Sequence, residues 1–251
     1  MMRGAFILAG LLLLPAAMAA RAEMVRVPAG TFAPFYTNDG PVAVAAFRLD
    51  EFPVTNREFL EFVTARPEWR RSNAPRLFVD QRYLQHWVSD LEPGALAPPE
   101  SPVTAVSWFA ARAFAAWRGQ RLPTLAEWEL AAAAEMSGDQ EQLQRLLAWY
   151  ARPTTLPLAP VGSTFRNAKG IWDLHGLAWE WVDDFNSFPV LSRDSADSDA
   201  GGGSFCGGGA IGVQDASDYA AFMRYAFRAS LQARYCVASL GFRCAADGDQ
   251  P

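Results

Sequence analysis

The stretch Gly170 to Phe185, GIWDLHGLAWEWVDDF, limits the possible folds of this chain more than any other. It holds three tryptophans (Trp172, Trp179, Trp181), four acids (Asp173, Glu180, Asp183, Asp184) and two glycines. The indoles draw the segment inside, and an ionised carboxylate can follow only if it is paired, hydrogen-bonded or bound to a metal. Two arrangements meet that condition. In one, the acids of a core loop accept indole and backbone N–H bonds. In the other, Asp173 and Glu180 join backbone carbonyls in a ring of hard oxygens, the kind of shell Ca²⁺ takes with about six to eight ligands.

Elsewhere the chain is heavily punctuated. Seventeen prolines, 19 glycines and 13% aromatics in 251 residues imply short elements joined by tight turns around one core. The net charge of −5 comes without any basic run, which removes the electrostatic footprint of a nucleic-acid binder. Arg3 precedes an apolar run, Ala5 to Ala19, too short for a comfortable membrane span. Small-residue cleavage sites follow at Ala17-Met18-Ala19 and Ala20-Arg21-Ala22, so residues 1–22 read as a signal peptide, with an uncleaved anchor as the alternative. Cleavage leaves a single domain, 23–251, without a membrane span, in the periplasm or secreted, where disulfides are permitted. The three cysteines, Cys206, Cys236 and Cys244, are an odd number, so at least one is unpaired within the chain or bound to a metal or partner.

Met24 to Phe32 and Val42 to Leu49 read as strands. Thr55 with Glu58 makes a capping box that opens a helix over 55–65, burying Phe59, Phe62 and Val63. Residues 66–100, rich in proline and without a sustained period, read as a long wrapped loop. Ser107 caps a helix through Trp117 that buries Trp108, Ala111, Phe114 and Ala115, and Thr124 with Glu127 opens another to about Glu135. Leu143 to Tyr150 suggests a short fourth helix, Ser192 to Gly203 a surface loop, and strands and loops dominate both ends.

Further blocks accompany the tryptophan-rich stretch in a fixed order: MVRVPAGTF at 24–32, FRLDEFPVTNREFLEFV at 47–63, PVTAVSWFAARAFAAWRGQRLPTLAEWELAAAA at 102–134, then GGGSF and LGFRCA. Together they resemble the formylglycine-generating-enzyme, or sulfatase-modifying-factor, family over nearly the whole mature chain. The resemblance implies an α+β fold related to C-type lectins, with little regular secondary structure and a small antiparallel sheet. It also implies a calcium site made of the Asp173 side chain, the Gly176 and Ala178 carbonyls and the Glu180 side chain. Leu177 stands where relatives usually have asparagine. The family's second calcium site needs an upstream Asn and Asp, which 153–163 lacks.

Copper is a different matter. Active relatives carry two cysteines five residues apart after the Gly-Gly-Ser, and those thiolates bind Cu(I). Here Cys206 follows Gly202-Gly203-Ser204 after a single residue, and Ile211 occupies the place of the second thiol. Three roles stay open for Cys206: a disulfide to Cys236 or Cys244, a copper-binding or catalytic thiol at the functional surface, or a free or partner-linked thiol. Cys244 matches a family cysteine that forms a disulfide, but the partner position near Ala115 is not cysteine. Relatives that bind iron through three histidines are excluded, because this chain has only His86 and His175. His175 reads as a hydrogen-bonding residue beside the calcium-like loop, Arg121 as a structural partner of Glu127 and Glu129, and Arg243 as a buried arginine with partners. The implied function is that of an exported maturation or accessory factor, oxidoreductase-like, for another exported protein, with the accessory proteins of copper nitrite reductases as the branch it resembles. The alternative is a non-catalytic, lectin-like module that binds a protein or peptide.

Overall fold

The computed structural model of the protein describes residues 23–34, 40–133, 140–186 and 216–248. Each strand expected near the N-terminus is two. β1 (Met24–Val27) and β2 (Gly30–Phe32) part at Pro28, which has no N–H to give a ladder. β3 (Val42–Val44) and β4 (Phe47–Asp50) part at Ala45-Ala46. The breaks send the pieces to different sheets. β2 pairs antiparallel with β3, while β4 lies between β1 and β7 (Ala245–Asp247) in an antiparallel sheet of three. Along β4 the side chains alternate as a half-buried sheet requires, Phe47 and Leu49 entering the core and Arg48 standing between them.

The capping signals work as written. Thr55 and Glu58 exchange their bonds at the start of α1 (Asn56–Ala65), which buries Phe59, Phe62 and Val63. Ser107 caps α2 (Trp108–Trp117) by accepting the Ala110 N–H. Trp108, expected inside, is only half-buried; its indole N–H bonds the carbonyls of Val182 and Asp183 at the core edge. Thr124 and Glu127 open α3 (Leu125–Ala132), with its C-cap at Ala133, and the expected end at Glu135 lies outside the described residues. α4 spans Gln140–Tyr150. One helix departs from expectation altogether. α5 (Ala216–Ala229) occupies part of the C-terminal region that sequence assigned to strands and loops.

Residues 66–100 form the wrapped loop foreseen, with a 3-10 turn at Pro67–Trp69. Side chains hold it down: the Trp87 indole donates to Asn56 Oδ1 at 3.1 Å, and the Tyr83 hydroxyl to the Trp69 carbonyl at 2.9 Å. Beneath it Phe59, Phe62, Phe114 and Phe242 pack as one aromatic cluster, with Phe114 and Phe242 5.3 Å apart between ring centroids. Gly241 lets the chain pass this cluster, since a Cβ there would meet the Val103 carbonyl oxygen at 2.5 Å.

Candidate functional site

β5 (Trp179–Glu180) and β6 (Leu240–Gly241) form a short parallel pair that lays the tryptophan-rich loop against the LGFRC segment. Glu180 and Arg243 meet there with fully buried side chains. Arg243 grips both carboxylate oxygens, Nε to Oε2 at 2.8 Å and Nη2 to Oε1 at 2.7 Å. This two-pronged contact is the strong form of the pair. The Trp128 indole adds a third donor to Glu180 at 2.7 Å. The other guanidinium N–H groups reach the carbonyls of Asp50, Glu51 and Trp172 at 3.1, 3.2 and 2.8 Å. Arg243 is thus the buried, fully partnered arginine the sequence suggested.

Asp173 is also buried, in a left-handed conformation with φ of 59°. One of its oxygens accepts the Thr164 N–H at 3.0 Å and the Thr164 hydroxyl at 2.7 Å, and the other accepts the Gly162 N–H. The same hydroxyl oxygen lies 3.1 Å from the His175 carbonyl, a second acceptor for its single proton. That contact is to the His175 backbone and leaves the expected role of its ring open; burial pushes the ring well below the ordinary histidine range. Asp184 accepts the Leu125 N–H at 2.6 Å, a carboxylate at the N-terminus of α3. Asp183 lies at the surface, 3.8 Å from Arg112.

These acids adopt the first of the two arrangements open to the sequence, accepting N–H bonds from indole, guanidinium and backbone. Glu180 Oε2 already accepts two donors and Oε1 one, so a Ca²⁺ ion there would have to share the carboxylate with Arg243. Among the described residues no group of three or more His, Cys, Asp and Glu side chains gathers as a metal cluster.

A second buried charge system lies beside the first. Sequence pairs Arg121 with both Glu127 and Glu129, and only half of that holds. Arg121 takes Glu127, both contacts at 2.7 Å, and Asp247 at 2.8 Å. Glu129 turns instead to α5, where Arg224 reaches it at 2.9–3.2 Å and Arg228 at 2.7 Å. Burial raises the pKa of Glu129, but the two guanidiniums outweigh it and hold the carboxyl at about 2. Arg228 also covers the Trp128 ring at 4.6 Å, and the Tyr150 hydroxyl lies 3.4 Å from Arg224. Tyr150 and Phe227 flank Trp179 in a stack, with centroids at 4.9 and 4.3 Å. Sequence reasoning missed this network, although the Arg-x-x-x-Arg spacing of 224 and 228 could have signalled one face of a helix.

Cys236 and Cys244 are free thiols, both fully buried. Burial pushes Cys236 up to about 12 and Cys244 well above the ordinary thiol range. They do not pair with each other, and the disulfides that sequence left open both run through Cys206. Cys206, its glycine flanks and Ile211 lie outside the described residues. His86 keeps a buried Nε2 that makes no hydrogen bond among the described residues, and it lines a small cavity with Asn56, Ser101 and Thr104.

Short antiparallel sheets, long ordered loops and a tryptophan-rich segment locked by a buried arginine define a mixed α+β protein of low regularity. The profile of the family described as "Sulfatase-modifying factor enzyme 1-like domain" matches residues 12–248, and the chain belongs to that family. It is 31% identical to a formylglycine-generating enzyme of Streptomyces coelicolor, an alignment covering 90% of this chain and 89% of that protein. It is 31% identical to the mouse inactive C-alpha-formylglycine-generating enzyme 2, over 63% of this chain and 68% of that protein. Among solved structures, PvdO from Pseudomonas aeruginosa superposes with a TM-score of 0.49 at 19% identity, covering 89% of this chain and 94% of that one.

Proposed function

We propose that this chain is an exported accessory or maturation factor for another exported protein, and that it does not convert a sulfatase cysteine to formylglycine. The inventory of thiols carries the proposal. A two-thiolate copper site needs a second reachable sulfur beside Cys206. Ile211 stands in the family position for it, while Cys236 and Cys244 are buried and kept protonated. The thiolate, not the thiol, is the ligand and the nucleophile. The family also holds a mouse relative named as inactive, and one fold supports many functions. If the chain has an oxidoreductase activity, it runs through Cys206 alone.

The experiment is mass spectrometry of a C-T-P-S-R-type peptide incubated with copper-loaded protein and oxygen. The peptide is expected to keep its thiol; efficient gain of an aldehyde would overturn the proposal. Copper measured after anaerobic purification then separates a metal-dependent factor from a plain binding module. One observation favours the binding module. Leu77, Val88, Leu91 and Leu96, four of the exposed large apolar side chains, all lie on the wrapped loop.

Calcium at Asp173, Gly176, Ala178 and Glu180 rests on the family resemblance, against the donor arrangement described above. Its test is thermal unfolding: bound calcium would raise the melting temperature relative to chelator. Identical curves, with no calcium in the purified protein, would leave the Arg243 and Thr164 contacts as the whole account of these acids. Export is supported by the leader-like residues 1–22, which lie outside the described part. Among the described residues no helix is long and apolar enough to cross a membrane.

A further inference from the structure

We propose that the wrapped loop carries a docking site for an acidic peptide segment of a partner protein, formed by Arg76, Arg82 and Arg234 around Asp80. The three arginines border an open depression of about 620 Å³. They come from two parts of the chain that are far apart in sequence, and Asp80 ties them together. Its N–H donates to the Arg234 carbonyl at 2.9 Å. Its carboxylate accepts the Arg82 N–H at 2.8 Å, the Arg82 guanidinium at 3.1 Å and the Cys236 N–H at 3.2 Å. Its carbonyl accepts Arg76 Nη1 at 3.3 Å. One residue thus uses all its polar groups to fix a basic rim, with the buried Cys236 backbone as a footing.

The charge does not balance. Asp80 offers one carboxylate, and Arg82 takes it. Among the described residues Arg76 and Arg234 make no ion pair, so the rim is a local positive patch on a chain of net charge −5. A guanidinium presents about five N–H donors in a rigid fork that matches a carboxylate. Asp80 draws few of them, and the rest face solvent. The depression is too wide for a single small oxyanion to span. Beside Arg76 stands Leu77, 76% exposed, an apolar anchor that a free phosphate cannot use and a peptide can. The net charge of −5 disfavours a long polyanion, such as nucleic acid or an anionic lipid surface, more than it disfavours a short acidic segment. What fits is a short segment with closely spaced Asp or Glu and an apolar neighbour. The inference deepens the accessory reading above and rests on it.

The test uses the whole chain and a fluorescein-labelled peptide, LDEDEL, with LNQNQL as control, followed by fluorescence anisotropy at low and at physiological salt. The acidic peptide is expected to bind, with affinity falling as salt rises, and the control is not. Arg76→Glu with Arg234→Glu should weaken binding at least about tenfold while leaving the melting curve unchanged, because neither side chain is ion-paired or buried. Equal binding of the two peptides would overturn the site, as would binding undiminished in the double variant or full displacement by millimolar inorganic phosphate. The two proposals fail separately. A chain that makes formylglycine yet binds the acidic peptide defeats the accessory reading alone, and one that does neither defeats the docking site alone.

Discussion

Two buried carboxylates in this molecule solve the same problem with different stoichiometry. Glu180 faces one arginine, and the surplus donors of Arg243 find three backbone carbonyls. Glu129 faces two arginines, and beyond it, among the described residues, Arg224 reaches the Tyr150 hydroxyl alone, at 3.4 Å. The first system is closed, with charge and hydrogen bonds both matched. The second concentrates two cations on one anion that comes from another helix. A buried charge stripped of its partner costs more than the pair contributes, so the energetic risk follows the number of charges left behind. Glu129 therefore holds α5 to the body of the protein, whereas Glu180 and Arg243 join two loops that carbonyl contacts would still hold together.

Glu129→Gln should be the most damaging single change, costing about 3–5 kcal/mol of unfolding free energy in urea, since it strands two buried guanidiniums. Glu180→Gln should cost less, about 3 kcal/mol, because Arg243 keeps its three carbonyls. The reverse ranking would break the comparison. Acid sharpens it. Glu129 is held at about 2, below its ordinary value of 4.5, so its stabilisation is complete above about pH 4.5 and is lost as the pH falls toward about 2. From about pH 5 to about pH 3 the wild type should lose on the order of 2 kcal/mol more than Glu129→Gln does, in parallel urea titrations. Equal acid slopes would show that the carboxyl is not held low. The smallest effect belongs to Tyr150→Phe, which removes one long hydrogen bond to Arg224 and should cost about 0.5 kcal/mol. A loss several times larger would make the hydroxyl a true third partner of the pair of arginines.

The two systems also differ in how far the sequence disclosed them. Arg243 stands in a recognisable LGFRC block, and the need of Glu180 for a donor followed from the tryptophans around it. α5 went unread because its inward positions are Ala220, Arg224 and Arg228, so the helical stripe is not apolar and hydrophobic periodicity does not mark it. Glu129 was matched to Arg121 for want of any view of that helix. Local chemistry was easier to read. The Thr55–Glu58 and Thr124–Glu127 boxes and the Ser107 cap follow from residues three apart or fewer. Choices that depend on distant partners were not readable: which sheet each of β1 and β2 joins, the half-exposed Trp108, and the pairing of Asp173 with the Thr164 N–H. Cys206 lies outside the described residues, so its role stays with the proposals.

The central strand of the larger sheet, β4, waits for β7 on one side, and Asp50 at its end accepts the N–H of Cys244 across 194 residues of chain. Arg243 and β6 likewise come from the last part of the described chain. A topology so rich in non-local contacts folds slowly, because the entropy of closing each long loop is lost before the contacts return it. During synthesis the first strands emerge long before the residues that complete their sheet. Until then Glu180 has no guanidinium and the edge of β4 is open. Between the emergence of β4 and that of β7, nascent chains thus carry an open strand edge of the kind other polypeptides can capture, and whatever covers that edge protects the chain until it can fold.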